Sequence, residues 1–329
     1  MLADCAQFAG RRLRVDNGGM RIAVLGTGGV GGYFGGRLAQ AGEDVVFVAR
    51  GAHLDAIRRD GLVVESVEGD FAVRPAQVTG DAGTAGPVDV VLLGVKAWQV
   101  KDAARALRPL LEAGGFVVPL QNGVEAADEL AEALGPDRVV GGLCKIFSYL
   151  AGPGRIKHAG VTPRIEFGER DGTRSDRVDR LRAAFEKASG VSVGTPGDIG
   201  AALWEKFLFI APLSGVGAVT RMPVGVLRAV PESREMLECA MKEVFDLARA
   251  RGIGLRKDAV ARTMSYVDGL PADGTASMQR DVLEGRPSEL EYQTGAVVRL
   301  GREARVPVPL NEFIYRALLP GERRARGAV

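Results

Sequence analysis

Residues 21–42, RIAVLGTGGVGGYFGGRLAQAG, constrain this chain more than any other stretch. An apolar, β-rich run over 22–25 stops at Gly26, Thr27, Gly28, Gly29, Val30 and Gly31, and Val30, Phe34 and Leu38 then recur at helical spacing. The pattern reads as strand, glycine turn, helix. The turn fits GxGxxG, and each glycine meets a separate physical demand. Gly26 permits the sharp exit, Gly28 lets backbone approach a pyrophosphate, and Gly31 lets helix and strand pack closely. Free N–H groups at the helix start would face the phosphates. A lone GxGxxG is weak, but between a strand and a helix it predicts a dinucleotide site rather than a bare glycine-rich turn.

The bulk numbers narrow the rest. At 329 residues the length suggests about two domains. With 46% hydrophobic and 26% charged residues and a net charge of +2, charge nominates neither nucleic acid nor a membrane as partner. Cys5, Cys144 and Cys239 form no CxxC and come with only two histidines, His53 and His158. That speaks against a disulfide framework or a metal site and fits a reducing cytoplasm, each cysteine reading as an apolar filler rather than a nucleophile. No apolar run approaches the 18 or so residues of a membrane span. Residues 1–19 lack the apolar segment of a signal peptide and, with Met20 directly before the first strand, read as a flexible extension.

Beyond the first helix, 44–50 (DVVFVAR) reads as a second buried strand. NAD-binding folds usually place Asp or Glu at its end to hold the ribose 2′-hydroxyl. Here stands Arg50, with His53, Arg58 and Arg59 behind it, which suits the 2′-phosphate of NADP better than a mere solvated strand-end charge. Segments 61–66 and 71–74 read as a hairpin, 88–95 and 115–120 as further buried strands, and 102–111 and 125–134 as helices. The two strands end at Lys96 and Asn122, so both polar side chains are expected at the ligand-binding edge of a doubly wound sheet. Strands are also expected over 139–149, 164–167 and 191–193.

Near residue 197 the texture turns wholly helical, with helices expected over 199–219, 223–230, 231–251, 256–267, 277–284, 288–305 and 310–318. The predicted fold is an α/β, Rossmann-type doubly wound domain over 20–196 followed by an all-α domain over 197–329. Ser288 and Glu291 have the spacing of a capping box, and the basic tail 322–329 reads as frayed. A nicotinamide enzyme that reduces a carbonyl needs a proton donor, and with histidine scarce a buried lysine is the natural one. Lys206 lies in the apolar run LWEKFLFI, where a snorkelling helix-edge lysine is the rival reading. Pro212 should kink that helix, and Gly215 and Gly217 leave room for another backbone or a ligand.

The ordered set Gly26 to Gly31, Arg50-Gly51-x-His53-Leu54, Lys96-Ala97-Trp98, Asn122-Gly123, Trp204-Glu205-Lys206, Ser277-Met278 and Glu289 closely resembles the ketopantoate reductase (2-dehydropantoate 2-reductase) family, from about residue 21 to about 318. The resemblance implies NADPH-dependent reduction of 2-dehydropantoate to pantoate, the step before pantothenate and coenzyme A, with substrate in the cleft between a Rossmann domain and a helical domain. Carried over, Arg50 holds the 2′-phosphate, Lys96 and Asn122 lie by the nicotinamide riboside and substrate, and Lys206 is the general acid. Ser277 holds the substrate carboxylate and Glu289 its hydroxyl. Glu289, at a helix start, is expected to stay ionised and could keep Lys206 protonated if the two approach. A homodimer is compatible with this reading.

Three positions depart from the family. Where its members usually carry substrate-binding Asn residues, this chain has Ile210, Ser214 and Val224. Each lost hydrogen bond is worth about 0.5–1.5 kcal/mol. Either recognition has moved, with Ser214 keeping one hydroxyl and Arg221 a candidate carboxylate anchor, or the substrate is a more apolar 2-oxo acid. Another hydroxyacid or opine-type dehydrogenase, and a non-catalytic NADPH sensor, are the remaining readings; a sensor has no need of Lys206, Ser277 and Glu289 together.

Overall fold

The apolar runs of the first half become parallel strands because they are buried on both faces and have no polar side to offer water. The computed structural model describes residues 19–328, and the extension expected over 1–19 lies, Gly19 apart, outside the described residues. In chain order the first half comprises β1 (Arg21–Leu25), α1 (Gly29–Gln40), β2 (Asp44–Val48), α2 (Gly51–Asp60), β3 (Leu62–Ser66), β4 (Phe71–Val73), β5 (Gln77–Thr79) and β6 (Val90–Leu93). It continues with α3 (Val100–Leu107), β7 (Phe116–Pro119), α4 (Ala126–Leu134), β8 (Gly141–Gly152), β9 (Arg155–Gly168), α5 (Asp176–Glu186) and β10 (Ser192–Gly194).

One sheet is wholly parallel, in the order β5-β2-β1-β6-β7. Chain order reverses between β1 and β6, so the crevice beyond their carboxyl ends is the place where such sheets take ligands. The second sheet runs β10-β9-β3-β4, with β8 antiparallel to β9. β3 and β4 form the expected hairpin, Leu62 facing Val73. Tyr33, Phe34 and Leu38 of α1 are fully buried in a core shared with Ile22 and Val24 of β1 and Ile156 and Phe167 of β9.

From residue 199 onward the described chain is helical: α6 (Ile199–Thr220), α7 (Val224–Ala229), α8 (Pro231–Ala250), α9 (Ala259–Asp268), α10 (Ser277–Leu283), α11 (Thr294–Ala304) and α12 (Pro309–Ala325). By length and composition α6 could cross a membrane, but here it is the core helix of its half. Phe207, Leu208, Ala211 and Val216 pack with Leu237, Met241 and Val244 of α8 and Ile314 of α12. α6 continues through Pro212, and the small residues beyond it admit other helices. A Cβ on Gly215 would lie 2.9 Å from Ile314, and one on Gly217 would lie 2.6 Å from Gln279 of α10.

Several expectations need correction. α2 has no counterpart among the expected elements, because only Ala56 and Ile57 of its ten residues are buried and the helical period is faint. β5 is three residues long and leaves no readable pattern. The capping box at Ser288 does not form. Its backbone N–H and hydroxyl donate to Glu322, while Glu291 turns away to Arg299 and to the Tyr315 hydroxyl, each at 2.7 Å. A 3₁₀ turn over Leu290–Tyr292 precedes α11 instead of one long helix. Nor does a frayed tail begin at Glu322. That carboxylate is buried, and Arg326 lies over the Trp98 ring at 4.5 Å and donates to Ser288 O at 2.7 Å.

Candidate active site

The glycine turn is built as its spacing predicts. Gly26 has φ +96°, and a Cβ there would lie 2.6 Å from Val95 N, so both conformation and the chain leaving β6 demand glycine. A Cβ on Gly31 would lie 2.3 Å from Gly26 O, which is the tight strand–helix packing. Beside Gly28 a Cβ would meet open space, and no side chain caps the first turn of α1. That leaves its N–H groups facing outward, a cradle that fits a pyrophosphate. Gly29 packs the other way, where a Cβ would lie 2.6 Å from the Ser148 carbonyl on β8. Thr27 turns inward, its hydroxyl donating to Val48 O at 2.9 Å. Val30 is partly buried against the first core.

At the end of β2, Arg50 is exposed and precedes α2; among the described residues it forms no ion pair. It is thus an unpaired cation at the carboxyl end of β2, beside the crevice. His53, on α2, reads in the sequence only as a nearby cation. In the structure its Nε2 bonds Thr27 O at 2.7 Å and its Nδ1 accepts from Gly154 N at 2.9 Å. Those two bonds define a neutral ring, and burial lowers its pKa.

Lys96 and Asn122 do share the sheet edge. Gln121 donates from Nε2 to Leu93 O and Val95 O, both at 2.9 Å, which fixes the two strand ends relative to each other. Gly123, at φ +111°, sits so close to the 3₁₀ turn that a Cβ would lie 2.7 Å from Tyr292 O. Through this contact the helical half delivers Glu289. Its buried carboxylate accepts from Ala97 N at 3.2 Å, from Asn122 Nδ2 at 3.4 Å and from Gln293 Nε2 at 3.5 Å. Lys96 Nζ lies 3.2 Å from Asp281, which also takes Arg286 at 2.7 Å. Asp281 carries no signal in the sequence, because one more acid on a helix looks like a solvated face.

Lys206 lies on α6, facing β8. Some of its surface remains accessible, yet desolvation pushes its pKa below the ordinary lysine value, opposed by the neighbouring Cys144 thiol and by Glu289. The buried Cys144 thiol is pushed up for the same reason, as suits a filler rather than a nucleophile. Among the described residues Lys206 has no ion pair. A dehydrated ammonium in the field of a carboxylate holds its proton less tightly than a solvated lysine and can give it up to a developing alkoxide.

Ser277 opens α10 with a partly exposed side chain. Ser214 is wholly buried in the middle of α6, and its hydroxyl has no partner among the described residues. Val224 is likewise buried in the helical core, and Ile210 packs against that core. Arg221 is exposed and ends α6 in the left-handed region at φ 62°.

Two family models match the chain, the ketopantoate reductase PanE/ApbA model over residues 22–172 and its C-terminal counterpart over 198–322. An uncharacterized oxidoreductase of Bacillus subtilis is 30% identical over 298 residues, covering 90% of this chain and 97% of that one. A 2-dehydropantoate 2-reductase of Nostoc sp. is also 30% identical, over 92% of this chain and 96% of the other. The crystal structure of a PanE/ApbA family ketopantoate reductase from Ralstonia eutropha superposes with a TM-score of 0.85 at 31% identity, over 93% of this chain and all of that one. Because the two family models together span most of the chain and these relatives match at 30–31% identity over nine tenths of it, the chain belongs to the ketopantoate reductase family and is an oxidoreductase acting on CH–OH groups.

Proposed function

We propose that this chain reduces a 2-oxo acid with NADPH in the cytoplasm, taking 2-dehydropantoate to pantoate. The reading divides it into a nucleotide-binding half, 20–196, and a substrate half, 197–329. The observation that carries it is Lys206: a dehydrated ammonium with no ion pair among the described residues, its pKa lowered by burial, in the field of a Glu289 that Asn122 and Ala97 N hold at the sheet edge. The crevice fits the cofactor. Gly26 to Gly31 leave a cradle for the pyrophosphate, and the free Arg50 suits a 2′-phosphate. Bound there, a nicotinamide supplies the hydride.

The chain's own residues do the rest. Asn122 and Lys96 orient the reacting groups at the edge, and Glu289 positions the substrate hydroxyl. Lys206 polarises the carbonyl oxygen and passes it a proton as alkoxide character develops. Ser277 meets the substrate from α10.

Oxidation of NADPH, followed by its absorbance, against a panel of 2-oxo acids that includes 2-dehydropantoate tests the reading. Turnover should be seen, with a lower KM for NADPH than for NADH. Replacing Lys206 by Ala should lower kcat by about 10²–10⁴-fold, the range of general acid catalysis. Cofactor binding with no oxidation would leave a sensor instead. One observation favours a second reading, a more apolar 2-oxo acid: Ile210, Ser214 and Val224 add no exposed amide to the cleft, and Ser214 and Val224 are sealed in the core. Faster turnover of 2-oxo acids with aliphatic substituents than of 2-dehydropantoate would establish it.

A further inference from the structure

Among the described residues most buried or half-buried guanidinium groups are answered. Arg177 pairs with Glu169 at 2.6 Å, Arg299 with Glu125 at 2.6 Å and Glu291 at 2.7 Å, and Arg37 donates to the carbonyls of Glu68 and Gly69. Arg280 is different. It is half-buried on α10, and only its Nη1 is engaged, donating to Thr275 O at 2.6 Å and to Thr275 Oγ1 at 3.0 Å. The guanidinium carbon stands 4.8 Å from the centre of the Phe147 ring. The adjacent acid, Asp281, is turned to Lys96 and Arg286. Nε and Nη2 are thus left without a protein acceptor, and burial lowers the pKa of the group.

Its position gives that open edge a direction. Arg280 follows Ser277 by three residues, so the two share a face of α10. Across from it runs β8. Cys144, near one end, lies beside Lys206; Phe147 lies beneath Arg280; Ser148 presses its backbone on Gly29 of the phosphate turn. Arg280 therefore stands along β8 between the lysine and the glycine turn, clamped by Phe147 and Thr275 with one edge of its fork open.

We propose that Arg280 is the oxyanion receptor of the cleft, taking a carboxylate or phosphate oxygen pair on Nε and Nη2. A planar, always charged fork matches either anion bidentately. Two sources fit the place, the carboxylate of a 2-oxo acid and the pyrophosphate of the dinucleotide, and the first of these rests on the reductase reading above. The anchor does not depend on the three replaced amides.

Arg280→Met and Arg280→Lys separate the sources. NADPH binding is measured by fluorescence titration, and binding of 2-dehydropantoate and of its neutral amide to the NADP⁺ complex by calorimetry, which needs no turnover. Loss of a charge-assisted hydrogen bond should weaken one anionic ligand by about tenfold or more in the Met variant. The Lys variant should recover part of that loss and the neutral amide should bind unchanged. If 2-dehydropantoate alone weakens, the anion is its carboxylate; if NADPH alone weakens, it is the pyrophosphate. Unchanged affinity for both, in a variant with the wild-type circular dichroism spectrum, overturns the proposal. A wild-type protein that binds both ligands but oxidises no NADPH would sink the reductase reading and leave this result standing.

Discussion

At the scale of single residues the proposed chemistry rests on Lys206, whose pKa burial lowers while Cys144 and Glu289 pull the other way. A lysine depressed in the fold binds its proton less tightly than in the unfolded chain. Between the depressed value and the ordinary one of about 10.4, the unfolded chain holds more protons, so stability rises with pH across that window. Below the window the charged group is carried at a loss. Lys206→Met should therefore raise Tm at neutral pH while abolishing turnover, and it should flatten the alkaline rise in stability; melting curves across pH check both. The proposed reduction uses the protonated lysine, so kcat in the wild type should fall as pH climbs through the depressed value. Mutations that weaken stability along with activity would mean Lys206 is structural.

Among the elements, α2 does more than its faint sequence pattern suggests. Through His53 it ties the glycine turn at Thr27 to the β8–β9 turn at Gly154, and only a neutral ring can donate from Nε2 and accept on Nδ1. Burial lowers the pKa of this histidine, so as pH falls through about 6.5 the unfolded ring takes its proton first and the tie begins to lose its stabilising contribution. His53→Leu should weaken NADPH binding severalfold with kcat at saturation little changed, and the wild type's affinity should decline on the acid side while the variant's stays flat. Fluorescence titration against pH reads both; equal loss in kcat would place His53 nearer the chemistry. The C-terminal helix shows the same principle. Glu322, a strongly charged position that reads as tail, is held by Ser288, and Arg326 covers Trp98 next to Lys96.

Over the whole molecule the buried apolar clusters are separate, although Val124, next to Gly123, packs against the helical one. Two clusters draw on residues before 194, and two others draw their buried members from beyond 203. Beside that contact, hydrogen bonds and ion pairs cross between the halves near the site: Lys96 with Asp281, Asn122 and Ala97 N with Glu289, Arg299 with Glu125. Polar interfaces of this kind permit relative motion and weaken with salt. Calorimetry should resolve two transitions that separate further at high ionic strength, and NADPH should raise the one belonging to the half with the glycine turn. A single transition insensitive to salt would show the halves to be one cooperative unit.

Much is legible in the residues themselves. The glycine turn, the parallel strands and the helical second half follow from local rules, since period, glycine placement and burial on both strand faces are written along the chain. Gly26 and Gly31 are readable because only glycine meets those backbone demands. Local order also puts Lys96 and Asn122 at strand ends. It does not show that Asp281 holds Lys96, that His53 braces the glycine turn, or that Ser214 is wholly buried. Nor does it show that Ser288 donates its N–H and hydroxyl to Glu322. Each of those depends on a partner far away in sequence, and which distant groups meet is decided by how the two halves and the β8–β9 ribbon pack, a balance of burial and polar pairing that no short stretch of sequence contains.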